Sequence, residues 1–324
     1  MRYRTSVVTG LVAAALTSVV TLRALAAEPA QPAVAAAVKP APAPLAGVRL
    51  ISDLKYGDAP GKSNLLDIYL PKEVPAGGAS LPLVVYIHGG GWRAGDKAPS
   101  AAAAFLAQHG YACASINYRF SQEAVFPAQL DDCKGAVRWL RAHAKEYGID
   151  PERVGAWGSS AGAHLAALVA TTAGDKGRDG TIGGNLEYSS AVKCVVDFYG
   201  PSDFVNMEAH AEAAKIVRDP KKISVLLGGS PVEKRELALA ASPVNWVTKA
   251  TPPFLILHGG ADKTVPLAQS EVLAAALKKA GVEASLTVVP GAIHGAPFAG
   301  AKEREQVRSF FDQHLKGAAP ARAE

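Results

Sequence analysis

From residue 83 onward, short apolar runs alternate with longer stretches in which apolar residues recur at helical spacing. The run 83–87 (LVVYI) is continuously apolar, which is typical of a strand buried on both faces of a sheet. Strands that alternate with helices indicate a parallel sheet covered by helices on both faces, because each crossover places a helix against the sheet. The sequence therefore predicts the α/β class with a mostly parallel central sheet.

The predicted strands span residues 49–56, 65–70, 83–87, 111–117, 154–157, 192–199, 254–257 and 284–289. The predicted helices span residues 100–108, 131–147, 267–280 and 302–315, in addition to a helix that follows residue 160. Several of these helices end at a glycine, which is a common helix stop.

Residues 1–26 have the three parts of a secretory signal peptide. Arg2 and Arg4 form a basic start, residues 6–22 are mostly apolar, and Ala24-Leu25-Ala26 matches a small-residue cleavage site. We therefore expect an exported protein, located in the periplasm or outside the cell. The length of the apolar region and the presence of Arg23 leave an uncleaved N-terminal anchor as the alternative.

The rest of the chain divides by composition. Residues 27–47 are rich in Ala and Pro, which predicts an extended linker. Residues 48–317 form the predicted folded domain, and residues 318–324 a disordered tail. Residues 204–245 have a mostly helical composition between two predicted strands, so we expect them to form a small cap over the site.

The charge balance gives no support for binding to nucleic acid or to a membrane surface. The formal charge is +5, and removal of a leader that holds three arginines and no acid leaves +2. No apolar run after the leader is long enough to span a bilayer, so we expect no membrane association of the mature domain.

The three cysteines, Cys113, Cys133 and Cys194, lie in apolar or helical patterns. Free, buried thiols are therefore expected rather than a disulfide framework. None of the cysteines has the spacing of a metal site, so the sequence predicts no metal.

A strand–turn–helix pattern with a serine at its turn lies in the segment RVGAWGSSAGAHLAALVA. Gly158, Ser160 and Gly162 fit G-x-S-x-G, which in this setting lifts the serine hydroxyl out of the end of a sheet. The glycines allow the strand and the helix to approach closely. Ser160 is therefore the candidate nucleophile, and the amide of Ala161 at the helix N-terminus is a candidate donor to an oxyanion.

A serine nucleophile needs a base and a group that orients the base. His294 lies in the loop after the last predicted strand, and Asp262 lies just beyond the strand FLIL. In the chain order Ser160, Asp262, His294 they occupy the positions of base and acid in a serine hydrolase. Asp197 and Asp203 are the rival acids, which we interpret as sheet-edge or turn residues.

The segment His88-Gly89-Gly90-Gly91 directly follows a predicted strand and supplies the predicted oxyanion hole. Its glycines allow backbone amides to turn inward with no side chain in the way. We expect Gly90 and Gly91 to donate together with Ala161, whereas His88 is interpreted as a residue that holds the loop.

These motifs resemble those of the α/β-hydrolase esterases and lipases with an HGGG oxyanion loop, the hormone-sensitive-lipase-like group. More narrowly, the chain is similar to secreted bacterial carbohydrate esterases of the acetylxylan and feruloyl esterase kind. The resemblance covers roughly residues 50–315. It includes the segments HGGGWRAGDK, GIDPERVGAWGSSAGAHLAAL and HGGADKTVP, together with the HG pair at residues 294–295. It implies an α/β-hydrolase fold, the triad Ser160, Asp262 and His294, and an oxyanion hole at Gly90, Gly91 and Ala161.

Three further residues are candidates for the substrate pocket. Trp92 either lines the pocket or packs beside the glycine loop, and Ser159 either donates a hydrogen bond near the site or caps the helix. Ile293 stands before the histidine where the family commonly has a small residue, so it is predicted to shape the pocket.

The resemblance implies hydrolysis of short acyl or hydroxycinnamoyl esters of plant polysaccharides, through an acyl-enzyme and without metal or organic cofactor. A general short-chain carboxylesterase, an arylformamidase or a peptidase of the same fold remains open, because triad chemistry is shared among them. A non-catalytic binding protein of the same fold would require a broken triad, and no member is missing here.

Overall fold

The computed structural model describes residues 46–73, 79–217, 219–295 and 300–317. The predicted signal peptide, nearly all of the predicted linker and the predicted tail lie outside the described residues. The described residues all belong to one structural unit, Pro42–Glu324.

In the described residues, eight strands form one sheet in the order β1-β2-β4-β3-β5-β6-β7-β8. β1 pairs with β2 and β2 with β4 in the antiparallel sense, whereas all other neighbours are parallel. The strands are β1 Val48–Lys55, β2 Leu65–Pro71, β3 Leu81–Ile87, β4 Ala112–Ile116, β5 Ile149–Ser159, β6 Val195–Phe198, β7 Phe254–Gly259 and β8 Ala284–Val289. The mostly parallel sheet predicted from the alternating pattern is confirmed.

The helices lie between these strands. They are α1 Ala101–Gln108, α2 Ala128–Ala142, α3 Ala161–Thr171, α4 Met207–Ala213, α5 Lys221–Leu227, α6 Arg235–Ala240, α7 Ala268–Lys279 and α8 Ala301–Phe311. The described residues also form short turns of helix at Lys176–Arg178, at Pro243–Trp246 and at the π-helical Asp312–Lys316. In the part of the chain that the structure describes, no helix is long and apolar enough to cross a membrane.

The central strand β3 shows how the sheet separates two cores. Leu83, Val85 and Ile87 point into one buried cluster, whereas Val84 points into the other. Side chains alternate between the faces of a strand, so a strand in the middle of a sheet must be apolar on both. This explains the continuous apolar run from which the fold class was predicted.

Different helices cover the two faces. α2, α3 and α7 contribute buried residues to the first cluster, and α1 and α8 to the second. Cys113, Cys133 and Cys194 are all buried and free, as predicted.

Several helices and strands begin or end at residues other than those that the sequence predicts. α2 begins at Ala128, directly after Pro127, and ends at Ala142, whereas the prediction was 131–147. β5 begins five residues earlier than predicted because Ile149 pairs with Leu81 of β3. Such boundaries depend on pairing with distant strands, which the local pattern does not show.

Residues 204–245 contain the three short helices α4, α5 and α6 between β6 and β7. Phe204, Met207, Ile223, Leu226 and Leu227 are buried in the first cluster, which anchors this segment to the rest of the fold. One connection is direct, because the amide of Phe126 donates to the carbonyl oxygen of Leu226 at 2.8 Å. The segment that composition predicts to be a cap is thus helical where it is described, and it packs on the core.

Candidate active site

Ser160 lies on the turn between β5 and α3 with φ 54° and ψ −120°. A non-glycine residue in this region is strained, and such strain is concentrated at functional sites. The backbone is packed so closely at this turn that neither Gly158 nor Gly162 has room for a side chain. A Cβ on Gly158 would come within 2.3 Å of the backbone of Gly162, and a Cβ on Gly162 within 2.0 Å of the carbonyl oxygen of Ile87.

The structure brings Ser160, His294 and Asp262 together. The hydroxyl of Ser160 lies 2.9 Å from Nε2 of His294, and Nδ1 of His294 lies 2.7 Å from Oδ2 of Asp262. The serine and histidine are 134 residues apart along the chain. In the arrangement that serves catalysis, Nδ1–H donates to the carboxylate and Nε2 accepts from the serine hydroxyl.

Asp262 is almost completely buried, yet each carboxylate oxygen has a partner. Oδ1 accepts hydrogen bonds from the amides of Thr264 at 2.7 Å and Val265 at 3.0 Å. Burial alone would raise the pKa of Asp262, but the contacts from His258 and His294 and the Thr264 amide hold it well below its usual range. The carboxylate therefore stays ionised and can support a positive charge on His294.

His258, the neighbour of Asp262, is a buried structural residue. Its Nδ1 lies 2.7 Å from the hydroxyl of Ser270, and its Nε2 lies 3.0 Å from the carbonyl oxygen of Val265 and 3.5 Å from Oδ2 of Asp262. These contacts help to hold the loop that carries Asp262.

The rival acids do not reach Ser160 through any hydrogen bond in the described structure. Asp197 is buried in β6, where its Oδ1 accepts from the amide of Gly200 at 2.8 Å. Asp203 accepts from the amide and side chain of Asn206 at the start of α4. The sequence indicated sheet-edge or turn residues; Asp203 lies in the loop before α4, and Asp197 lies within β6, one residue before that strand ends.

The glycine loop after β3 lies beside the nucleophile. A Cβ on Gly89 would be 3.4 Å from Cβ of Ser160, so the loop and the serine are in close contact. Gly90 and Gly91 have φ of 118° and 62°, and a Cβ on Gly90 would lie 1.9 Å from the carbonyl oxygen of Ala94. Only glycine fits such a path, which brings the backbone of both residues to the wall of the site.

His88 holds this loop. It is buried, its ring stacks on Tyr118 with centroids 4.6 Å apart, and its Nδ1 lies 2.7 Å from the carbonyl oxygen of Gly89. Burial lowers the pKa of His88, so the neutral ring donates from Nδ1–H to that carbonyl oxygen. A Cβ on Gly95 would clash with the same ring at 2.2 Å, which explains the glycine at that position.

A cavity of about 480 Å³ opens onto Ser160 and His294. Its wall includes the backbone of Gly90 and Gly91, the predicted hole residues, while Ala161 is buried directly behind Ser160 at the start of α3. The described residues that line it are Gly89, Gly90, Gly91, Trp92, Ser159, Ser160, Tyr199, Pro201, Lys222, Thr264, Val265, His294 and Gly295.

The sequence left two roles open for Trp92, to line the pocket or to pack beside the glycine loop, and the structure shows both. It lines the cavity, yet it is only 3% exposed, and its indole N–H donates to Nδ1 of His164 at 3.1 Å. His164 in turn donates from Nε2 to the carbonyl oxygen of Ala241 at 2.7 Å. Trp92 is thus a rigid wall, because two buried hydrogen bonds tie it to the segment after α6.

Ser159 also lines the cavity and does not cap the helix. It is the last residue of β5, and its hydroxyl lies 3.4 Å from the hydroxyl of Tyr86. The N-cap position of α3 belongs to Ser160, whose side chain makes no capping bond and remains available to His294.

The prediction for Ile293 was wrong. Its side chain is 53% exposed and is not among the described residues that line the cavity. Ile293 lies on the loop just before His294, and the backbone path of that loop directs the isoleucine side chain to solvent.

Sequence reasoning missed Tyr199 and Lys222. Tyr199 follows β6 with φ 48°, and its ring centroid lies 4.6 Å from that of His294. Its place after a parallel strand was the only available signal. Lys222 comes from α5 of the cap, and nothing in the local sequence links it to the site.

Among the residues described, no group of three or more His, Cys, Asp or Glu side chains could hold a metal ion. What the site does provide is a serine hydroxyl bonded to an imidazole, a carboxylate bonded to that imidazole, and a glycine loop beside the serine. Such an arrangement can form and hydrolyse an acyl-serine ester.

The comparison with protein families agrees with this geometry. A family model described as BD-FAE matches residues 66–277, which is well over half of the chain. The chain belongs to the BD-FAE family. The match spans β2 to α7 and so includes the glycine loop, Ser160 and Asp262.

Esterases are among the curated relatives of this BD-FAE chain. It is 36% identical over 246 residues to esterase LipQ of Mycobacterium tuberculosis and 34% identical over 220 residues to the probable carboxylic ester hydrolase LipM of the same organism. The alignments cover 75% and 67% of this chain but 56% and 49% of the relatives. The chain thus spans about half the length of these curated relatives.

Solved structures include carbohydrate esterases. The truncated form of a carbohydrate esterase from gut microbiota has a TM-score of 0.76 and 33% identity, with 83% of this chain and 96% of that chain covered. The acetyl ester-xyloside bifunctional hydrolase from Caldicellulosiruptor lactoaceticus has a TM-score of 0.62 and 30% identity over 76% of this chain and 88% of that one. Together with the sheet order, these neighbours confirm the α/β-hydrolase fold.

Proposed function

We propose that this protein is a serine carboxylic-ester hydrolase that acts through an acyl-enzyme. The observation that carries the proposal is the continuous hydrogen-bonded chain from the Ser160 hydroxyl through His294 to the buried carboxylate of Asp262. A serine hydroxyl is a poor nucleophile at neutral pH, and this chain of contacts is what activates it.

In the first half of the reaction, His294 Nε2 takes the proton of Ser160 as its oxygen attacks the ester carbonyl. The amides of Gly90, Gly91 and Ala161 donate to the oxyanion that forms. The imidazolium of His294, paired with Asp262, then protonates the leaving alkoxide, and the acyl group remains on Ser160.

In the second half, His294 takes a proton from a water molecule, which attacks the acyl-serine. The same amides hold the second oxyanion, and His294 returns the proton to Ser160 as the acid leaves. Every step uses side chains and backbone amides of this chain.

We propose short acyl or hydroxycinnamoyl esters of plant polysaccharides as the substrate class. The cavity of about 480 Å³ is of the size that suits a small acyl group and part of its alcohol. Structural neighbours named as a carbohydrate esterase and an acetyl ester-xyloside hydrolase support this class. The leader-like composition of residues 1–26 supports export to the periplasm or beyond, where such polymers are met.

The esterase proposal is tested with 4-nitrophenyl acetate. We expect Ser160→Ala to lower kcat by about 10⁵ or more, because nucleophile and base act as a unit. Ser202→Ala serves as the control, since Ser202 is a buried serine bonded to Gln269 outside the cavity. Equal rates in wild type and Ser160→Ala would remove the serine from the mechanism.

The substrate class is tested by a screen of acetylated xylan, methyl ferulate, simple alkyl esters and N-formylkynurenine. A preference for the first two, measured as kcat/KM, supports a carbohydrate esterase. One alternative is a general short-chain carboxylesterase, which the LipQ relative favours and which a preference for simple alkyl esters would indicate. The other is an arylformamidase, which a preference for N-formylkynurenine would indicate.

A further inference from the structure

We propose that Lys222 makes the cavity selective for esters that carry a carboxylate close to the scissile bond, on either the acyl or the alcohol side. The inference rests on the proposed ester-hydrolase function and narrows its substrate class.

The first observation is the position of Lys222. It belongs to the cap helix α5, yet its side chain lies over the glycine loop, because a Cβ built on Gly91 would be 3.2 Å from its Cδ and 3.7 Å from its Cε. Lys222 lines the same cavity as Ser160 and His294. Helix α5 therefore places the Lys222 side chain, which ends in a primary ammonium group one bond beyond Cε, against the predicted oxyanion loop.

The second observation is that this ammonium group has no partner among the residues that the structure describes. Throughout residues 46–73, 79–217, 219–295 and 300–317, no side chain or carbonyl forms an ion pair or hydrogen bond with Nζ of Lys222. Its neighbour Lys221 also extends from α5 but is not among the described lining residues. A cationic side chain that lines a cavity and has no partner among the described residues can pair with a charged ligand.

The third observation is the character of the other lining groups. None of the described lining residues is Asp or Glu, and the predicted oxyanion donors and the start of α3 add positive potential. A cavity lined by one sign of charge attracts ligands of the opposite sign and raises their local concentration. An uncharged ester gains nothing from this field, whereas a carboxylate-bearing ester does.

Matched substrate pairs isolate the charge. On the alcohol side, 4-acetoxybenzoate is compared with 4-acetoxybenzamide, and on the acyl side ethyl hydrogen succinate is compared with ethyl succinamate. Each pair differs only in a carboxylate or a carboxamide. The quantity measured is the ratio of kcat/KM for the acidic ester to that for the neutral one, and the pair with the larger ratio identifies the side on which the carboxylate binds.

We expect wild type to favour one acidic ester about tenfold, as a close ion pair at a partly solvated site allows. Lys222→Met should bring this ratio to about one, and Lys222→Glu should reverse it. Raising the ionic strength from about 0.05 M to about 0.5 M should reduce the wild-type ratio, because the charges are screened. Lys221→Glu, which changes the net charge by the same amount from the adjacent position, should leave the ratio within about twofold of wild type.

The inference is overturned if wild type shows no preference in either pair, if the Lys222 variants keep the wild-type ratio, or if Lys221→Glu shifts it as much as Lys222→Glu does. Equal loss of rate on both members of a pair in Lys222→Met also overturns it, since the lysine would then support only the cap. A failure of the proposed function itself has a different signature, because wild type would then hydrolyse neither the acidic nor the neutral esters.

Discussion

Asp262 directs its two carboxylate oxygens to different partners. Oδ2 faces His294, and Oδ1 accepts from the amides of Thr264 and Val265. The backbone bonds fix the carboxylate, so its other oxygen can select the orientation and tautomer of the imidazole. The contacts from His258, His294 and the Thr264 amide lower the pKa of Asp262 against the effect of burial, which favours the ionised carboxylate.

At the residue scale, we predict that Asp262→Asn lowers kcat by about 10³–10⁴. An asparagine can present an N–H to Nδ1 of His294, which favours the tautomer whose Nε2 carries the proton and cannot accept from Ser160. Steady-state hydrolysis of 4-nitrophenyl acetate provides the measurement, with circular dichroism to verify the fold. The control is Asp203→Asn, which we expect to retain activity within about threefold; similar losses in both variants would contradict the assignment of the acid.

At the scale of elements, the site depends on how closely α3 approaches β3. Gly162, in the first turn of α3, lies against the carbonyl oxygens of Ile87 and His88 at the end of β3. The same contact places the glycine loop next to Ser160. The nucleophile turn and the predicted oxyanion hole are therefore positioned by one backbone-to-backbone contact.

We predict that Gly162→Ala destabilises the protein by about 3 kcal/mol and also lowers kcat. Its Cβ would lie 2.0 Å from the carbonyl oxygen of Ile87 and 2.5 Å from that of His88, so α3 or the loop must shift. Urea unfolding and steady-state kinetics measure the two effects. Gly260→Ala is the matched control, since its Cβ would meet its nearest neighbours at 3.5 Å; a comparable loss there would show that the close contact is not the cause.

At the scale of the whole molecule, the sheet buries a carboxyl group that the proposed reaction does not use. Asp197 of β6 is 1% exposed, and burial raises its pKa to about 6 despite the bond from the Gly200 amide. In the unfolded chain an aspartate has a pKa of about 3.9. Between about pH 4 and pH 6, Asp197 therefore binds more protons in the folded than in the unfolded protein, and its contribution to stability falls as the pH rises through this window.

We predict that Asp197→Asn is more stable than wild type by about 2 kcal/mol at pH 7, and that this difference shrinks as the pH falls from about 6 to about 4. The asparagine keeps an acceptor for the Gly200 amide without a buried charge. Urea unfolding of both proteins across this range gives the difference directly. A difference in stability between Asp197→Asn and wild type that stays constant across this range would contradict the explanation.

The sequence alone determined the fold class and the approximate positions of Ser160, Asp262 and His294. These predictions depend on local signals, namely apolar runs long enough for strands and short motifs directly after them. Parallel strands bring their carboxyl ends to one edge of a sheet, so residues that are far apart along the chain can be placed together without knowledge of the packing.

Which residues surround these three depends on the tertiary packing and could not be predicted from the sequence. Lys222 reaches the site because a short cap helix packs against the core, and Tyr199 reaches it through a left-handed turn after β6. Ile293 was placed wrongly because neighbouring residues on a loop can face opposite directions, and only the backbone path selects one of them. Contacts between segments distant in sequence carry no local periodicity, since they form only when the whole chain has packed.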